Sequence, residues 1–140
     1  MILQGENIYE LIPQRPPITM VDILWEADAE GATTGLTIKA DNIFVSEGQF
    51  REPGLIEHIA QSAAAFAGYE TYSNGLPPRI GYIGEIKKCR IYFFPQVGQQ
   101  LKTHIRLSGQ AGEVSLIEAQ TECEGRKAVE CQMKIFLKNE

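Results

Sequence analysis

The sequence predicts an α+β domain in which one long buried helix is wrapped by a curved antiparallel sheet of about six strands. Two observations carry this. The segment after Pro53-Gly54, from Leu55 to Tyr69, is rich in alanine and apolar around most of its circumference. Such a helix is buried rather than laid on a surface. Downstream, four long stretches read as strands joined by short turns, a meander that forms an antiparallel sheet. With 140 residues the chain suits one core, and it has no linker, internal repeat or low-complexity segment. Residues 1–140 are therefore read as a single domain.

In chain order, residues 7–12 form one short helical turn stopped by Pro13. Pro13-Gln14-Arg15-Pro16-Pro17 is an extended loop, because proline disfavours helix at its own position and the one before. Residues 18–27 are rich in apolar side chains and read as a strand, with 33–38 as its partner beyond a turn at Glu30-Gly31. The helix runs from about Gly54 to Tyr69. After a break at Leu76-Pro77-Pro78, residues 80–94 carry a long strand signal ended by Pro95. From Leu101 the alternation is clean: Leu101, Thr103, Ile105 and Leu107 face one way, Lys102, His104 and Arg106 the other. Residues 114–123 follow a turn at Gly112. The final run sets Val129, Cys131, Met133, Ile135 and Leu137 against Ala128, Glu130, Gln132, Lys134 and Phe136.

Composition excludes several classes of function. A formal net charge of −5 argues against a general nucleic-acid binder. No apolar run approaches the roughly 20 residues that span a bilayer, so no membrane insertion is expected. The opening Met1-Ile2-Leu3-Gln4-Gly5-Glu6 has no cationic start leading into an apolar stretch, which points to a cytoplasmic protein without a signal peptide. Cys89, Cys123 and Cys131 are odd in number and lack CxxC spacing. They read as reduced structural thiols rather than a disulfide framework or a zinc site.

Three stretches, in order, carry a family resemblance. Leu11-Ile12-Pro13-Gln14-Arg15-Pro16-Pro17-Ile18-Thr19-Met20-Val21-Asp22 is similar to the opening Leu-Pro-His-Arg-x-Pro-x-x-x-Val-Asp of bacterial 3-hydroxyacyl-[acyl-carrier-protein] dehydratases. Pro53-Gly54-Leu55-Ile56-Glu57-His58-Ile59-Ala60-Gln61 resembles their Pro-Gly-x-x-x-x-Glu-x-x-Ala-Gln, with the interval to the glutamate shortened. Residues 82–90, closing on Pro95-Gln96-Val97-Gly98-Gln99-Gln100-Leu101, resemble the following strand and its Pro-Gly-Asp-x-Leu turn. The resemblance implies a hotdog fold and a homodimer, or a larger assembly of dimers, joined edge to edge at the sheets. It also implies acyl tunnels at the subunit interface. The substrate would be a thioester on the phosphopantetheine of acyl carrier protein or on coenzyme A, with no further cofactor and no metal. The implied chemistry is reversible loss of water from a 3-hydroxyacyl thioester, a histidine acting as base and a helix carboxylic acid from the other subunit as acid. Both histidines of the pattern are replaced, by Gln14 in the first stretch and by Gln49 in Gly48-Gln49-Phe50-Arg51. An amide has no proton equilibrium near neutral pH and cannot serve as the base, so Gln14 and Gln49 remain candidates for substrate contact only.

Glu57 is accordingly the candidate catalytic residue. A carboxyl near the start of an apolar helix, if buried, is suited to donate a proton near neutral pH. The competing reading is a carboxylate that only complements the positive helix end. Gly54 would offer helix-terminal N–H groups to a thioester oxygen, or serve turn geometry alone. Gln61 shares the Glu57 face at i,i+4 spacing and would orient that carboxyl, or simply pack. His58 stands about 100° around the helix from Glu57 and reads first as a hydrogen-bonded core or interface histidine, with substrate contact as the alternative. His104 reads as solvated. Arg15, Arg51, Arg79, Lys87, Lys88 and Arg90 are either a mouth patch for the carrier or scattered surface charge. Two other functions stay open: a hotdog thioesterase using Glu57, and a non-catalytic acyl-binding subunit paired with an active hotdog partner.

Overall fold

A computed structural model of the chain describes residues 2–76 and 80–138. The elements run β1 (Leu3–Gln4), a 3-10 turn (Gly5–Glu10), β2 (Ile23–Ala27), β3 (Gly31–Thr37), β4 (Val45–Ser46), β5 (Gln49–Phe50), α1 (Glu52–Ser73), β6 (Ile80–Ile91), β7 (Gln100–Ala111), β8 (Val114–Cys123) and β9 (Arg126–Lys138). Seven strands form one antiparallel sheet in the order β1-β2-β3-β7-β8-β9-β6, and β4 pairs with β5 in a separate hairpin. Among the described residues the one long helix packs on the sheet, as the sequence predicts. The sheet gains one strand over expectation because the two-residue β1 docks on β2.

The alternation expected in β7 is realised: Leu101, Thr103 and Ile105 are buried, and Lys102, His104 and Arg106 are exposed. Residues 18–22, expected within a strand, are not. They form a strap across α1 because side chains of the helix take their backbone groups. Gln61 accepts the Met20 N–H at 2.6 Å and donates to the Ile18 carbonyl at 2.8 Å, while His58 meets the Met20 carbonyl at 2.6 Å. A ladder partner is unnecessary once these groups are satisfied.

The helix is longer than expected at both ends. Gly68, near the end the composition suggests, does not stop it. Gly75 does, in a left-handed conformation (φ +73°). The Leu76 N–H reaches the Thr71 carbonyl and the Gly75 N–H the Tyr72 carbonyl, the paired bonds of a Schellman ending. Gly68 instead marks where the N-terminal segment crosses the helix: a Cβ there would stand 2.1 Å from the Leu11 carbonyl oxygen. Gly68→Ala is therefore expected to destabilise the fold by about 1–3 kcal/mol through overpacking against backbone. Urea denaturation checks this, and an unchanged midpoint would contradict it.

β6 forms one edge of the sheet. Tyr82, Ile83 and Ile86 are 53%, 43% and 39% exposed on it, a long apolar edge of the kind that native proteins pair or cover.

Candidate active site on the central helix

The helix presents two stripes. Leu55, His58, Ile59, Gln61, Ser62 and Ala65 are fully buried against sheet and strap. Ile56, Glu57, Ala60, Ala64 and Ala67 are only half-buried. At 100° per residue these five fall on one contiguous stripe, left uncovered within the single chain. Glu57 is the one carboxylate on it. Among the described residues it has no hydrogen bond or ion pair.

The neighbouring polar residues are engaged elsewhere. His58 is wholly buried; its Nδ1 faces the Met20 carbonyl and its Nε2 lies 2.7 Å from Thr103 Oγ1. A carbonyl only accepts, so Nδ1 carries the proton, and Nε2 accepts from Thr103, which meets Thr121 Oγ1 at 2.7 Å. Burial drives the imidazole down to about 4, against the opposing pull of the Met20 carbonyl. His58 is thus a neutral clamp, as its hydrogen-bonded core reading anticipated. Ser62 Oγ donates to the His58 carbonyl and accepts from Thr34 Oγ1, closing a buried network. Both ends of the Gln61 amide hold the strap, so Gln61 does not orient Glu57 despite the i,i+4 spacing.

Gly54 also departs from its expected role. Its N–H turns back to the Arg51 carbonyl at 3.0 Å. The Phe44 side chain and the Phe50 ring stand 2.6 Å from where a Cβ would lie. The glycine is required by packing, and its amide is not turned outward toward a ligand. Gln49 is half-buried on β5, bridged to Gln96. Its hairpin turns through Glu47 and Gly48, both at positive φ (53° and 76°), the two-residue geometry that matches strand twist. Gln14 lies in the loop before the strap, its Oε1 buried without a partner among the described residues. None of these residues is hydrogen-bonded to Glu57.

His104 stands on the outer face of the sheet, 3.3 Å from Thr33 Oγ1 and 3.6 Å from Glu122. Three of the basic residues weighed as a mouth patch or as scattered surface charge have separate local partners. Arg15 packs over Tyr9, Arg51 over Phe94, and Lys87 pairs with Glu85; Arg79 lies outside the described residues. The sequence reading missed Arg126 stacked on Phe93 at 4.3 Å, which only the β9 register brings into contact. Asp22, also unremarked, accepts the Thr37 N–H, and burial raises its pKa despite that bond and nearby Lys39.

Between the second half of α1 and the sheet lies a cavity of about 510 Å³, its apolar wall formed by Ala63, Phe66, Ala67, Leu107, Ile117 and Ile135. Among the described residues no cluster of three histidine, cysteine or acidic side chains could hold a metal. No described helix is long and apolar enough to cross a membrane.

A 3-hydroxyacyl-[acyl-carrier-protein] dehydratase FabZ from Clostridium novyi is 29% identical over 140 residues, covering 95% of this chain and 96% of its own. The fold is that of the dehydratase heterocomplex ApeI:P from Xenorhabdus doucetiae, with a TM-score of 0.88 at 16% identity, over 100% of this chain and 94% of that one. A hypothetical thioesterase with coenzyme A from Streptococcus pneumoniae shares it more loosely, at a TM-score of 0.65 and 10% identity, over 84% and 86% of the two chains. These likenesses place the chain in the hotdog fold. The family model for ApeP-like dehydratases matches residues 6–140, and the chain belongs to that family.

Proposed function

We propose that this chain acts on 3-hydroxyacyl thioesters as a dehydratase, with Glu57 as the acid. The observation that carries the reading is the position of Glu57, a carboxyl on the uncovered stripe of α1 with no hydrogen bond or ion pair among the described residues. In the reaction a base removes the C2 proton and the thioester oxygen takes up charge. The C3–O bond then breaks as the Glu57 carboxyl protonates the departing hydroxyl, which leaves as water. The apolar cavity beside α1 supports an acyl substrate. Its carrier would be the phosphopantetheine arm of acyl carrier protein or coenzyme A, and the reaction written this way uses no further cofactor.

The site is completed by a second hotdog chain paired at β6, which would cover both the apolar edge and the half-buried stripe that bears Glu57. A second copy is the simplest partner. A second reading is favoured by the histidines: His58 is neutral with both nitrogens occupied, and His104 stands on the opposite face of the sheet. A second copy brings the same two. A non-identical hotdog chain carrying a histidine would supply the base, and the similar ApeI:P structure is itself a heterocomplex.

Sedimentation and turnover test this together. The purified chain is expected to sediment as a species larger than 15.6 kDa; a monomer alone at micromolar concentration would contradict the edge pairing. Given 3-hydroxyacyl, 2-enoyl and saturated acyl thioesters, interconversion of the first two supports the dehydratase. Hydrolysis of the saturated thioester would replace it by the thioesterase reading. Binding without turnover by the isolated chain assigns the base to the non-identical partner.

A further inference from the structure

Two of the three cysteines face each other between β6 and β9, where the sheet of the single chain ends. β6 and β9 pair with Lys87 opposite Gln132 and Arg90 opposite Glu130, so Lys88 and Cys89 together face the single residue Cys131. Lys88 takes a positive φ of 51°, which accommodates the extra residue as a bulge requires. The register thus sets Cys89 against Cys131 across the bulge. The register pairs on either side, Lys87 with Gln132 and Arg90 with Glu130, hold the strands at antiparallel spacing, about 4.5–5.5 Å between opposed Cα atoms, close to the roughly 4.4–6.8 Å that a disulfide spans. Cys89 is exposed and Cys131 buried.

We propose that Cys89 and Cys131 form a thiol–disulfide pair that closes across the bulge and fastens the edge strand to β9. The oxidant is a small disulfide such as glutathione disulfide. The difference in exposure sets the order of events. Cys89, deprotonated, attacks one sulfur of the oxidant, forms a mixed disulfide and releases one glutathione thiol. Cys131 then gives up its proton and attacks Cys89 Sγ, releasing the second. Two electrons pass from the cysteine pair to the oxidant, and the two protons end on the two released thiols. Burial raises both cysteine pKa values, Cys131 to about 12, and Glu52 at the start of α1 adds to the rise at Cys89. Both are therefore thiols at rest, and closure requires the oxidant to accept the two electrons.

Cys123 does not compete. The residue opposite Cys131 on β8 is Ala119, four positions or about 13 Å from Cys123 along the strand. Cys123 Sγ is directed to Gln99 Oε1.

The test uses the full reduced chain incubated with glutathione disulfide, then denatured in iodoacetamide and mapped by peptide mass spectrometry. Free thiols are expected to fall from three to one, with Cys89 linked to Cys131 and Cys123 alkylated. In Cys131→Ser the Cys89–glutathione adduct should accumulate instead. Three alkylated cysteines would overturn the proposal. So would a lasting Cys89–glutathione adduct in the wild type, or Cys89 linked to Cys89 of another chain.

Discussion

Lowering the pH from 7 to 4 is expected to cost the folded chain about 3 kcal/mol through His58 alone, on the order of a hundredfold in the folding equilibrium. The folded imidazole titrates at about 4, against 6.5 for an unperturbed histidine. Between those values the unfolded chain binds a proton that the folded chain refuses, so stability falls as the pH drops through 6.5 and the loss levels off near 4. Above 6.5 both states hold a neutral ring and the term vanishes. Asp22, its pKa raised by burial, contributes with the opposite sign at acid pH. The clean quantity is therefore the difference between wild type and His58→Gln. A glutamine can donate to the Met20 carbonyl and accept from Thr103, as the neutral imidazole does, but it cannot titrate. Urea denaturation across this range should show the wild type losing stability faster than the variant. Parallel curves would contradict the neutral clamp.

The helix and the β7 pattern were legible because each is set by burial on one face, which periodicity records directly. Four features were not, and each depends on a partner that no local pattern announces. Residues 18–22 carry a strand's composition, yet Gln61 and His58 take their backbone groups from 38 to 43 residues away. Gly68 resembles a helix stop until Leu11 is seen crossing it. Gly54 offers a free amide on paper, yet its N–H turns to the Arg51 carbonyl, and Phe44 and Phe50 leave no room for a Cβ. The placing of Cys89 opposite Cys131 follows from a one-residue bulge, which no alternation in either strand announces. Glu57 was identifiable by motif, but its place on an uncovered stripe emerges only once the buried face of α1 is known.

Glu57→Gln is expected to keep the fold while removing the exchangeable proton, because the side chain is half-buried and makes no intrachain hydrogen bond among the described residues. The loss should fall on the chemical step. Without a positioned acid, hydroxide rather than water must leave C3, and losing such a group typically costs about 10²–10⁴-fold in rate. A carboxylate serving only the helix dipole would instead change stability, by about 0.3–1 kcal/mol, and leave turnover intact. The two roles separate when rate, thioester binding and urea midpoint are measured on the same samples of the active assembly, whether that is this chain alone or this chain with a histidine-bearing partner. The decisive quantity is the rate of 3-hydroxyacyl-thioester dehydration at saturating substrate. The account predicts at least a hundredfold fall in Glu57→Gln with binding and fold retained; a rate equal to wild type would contradict it.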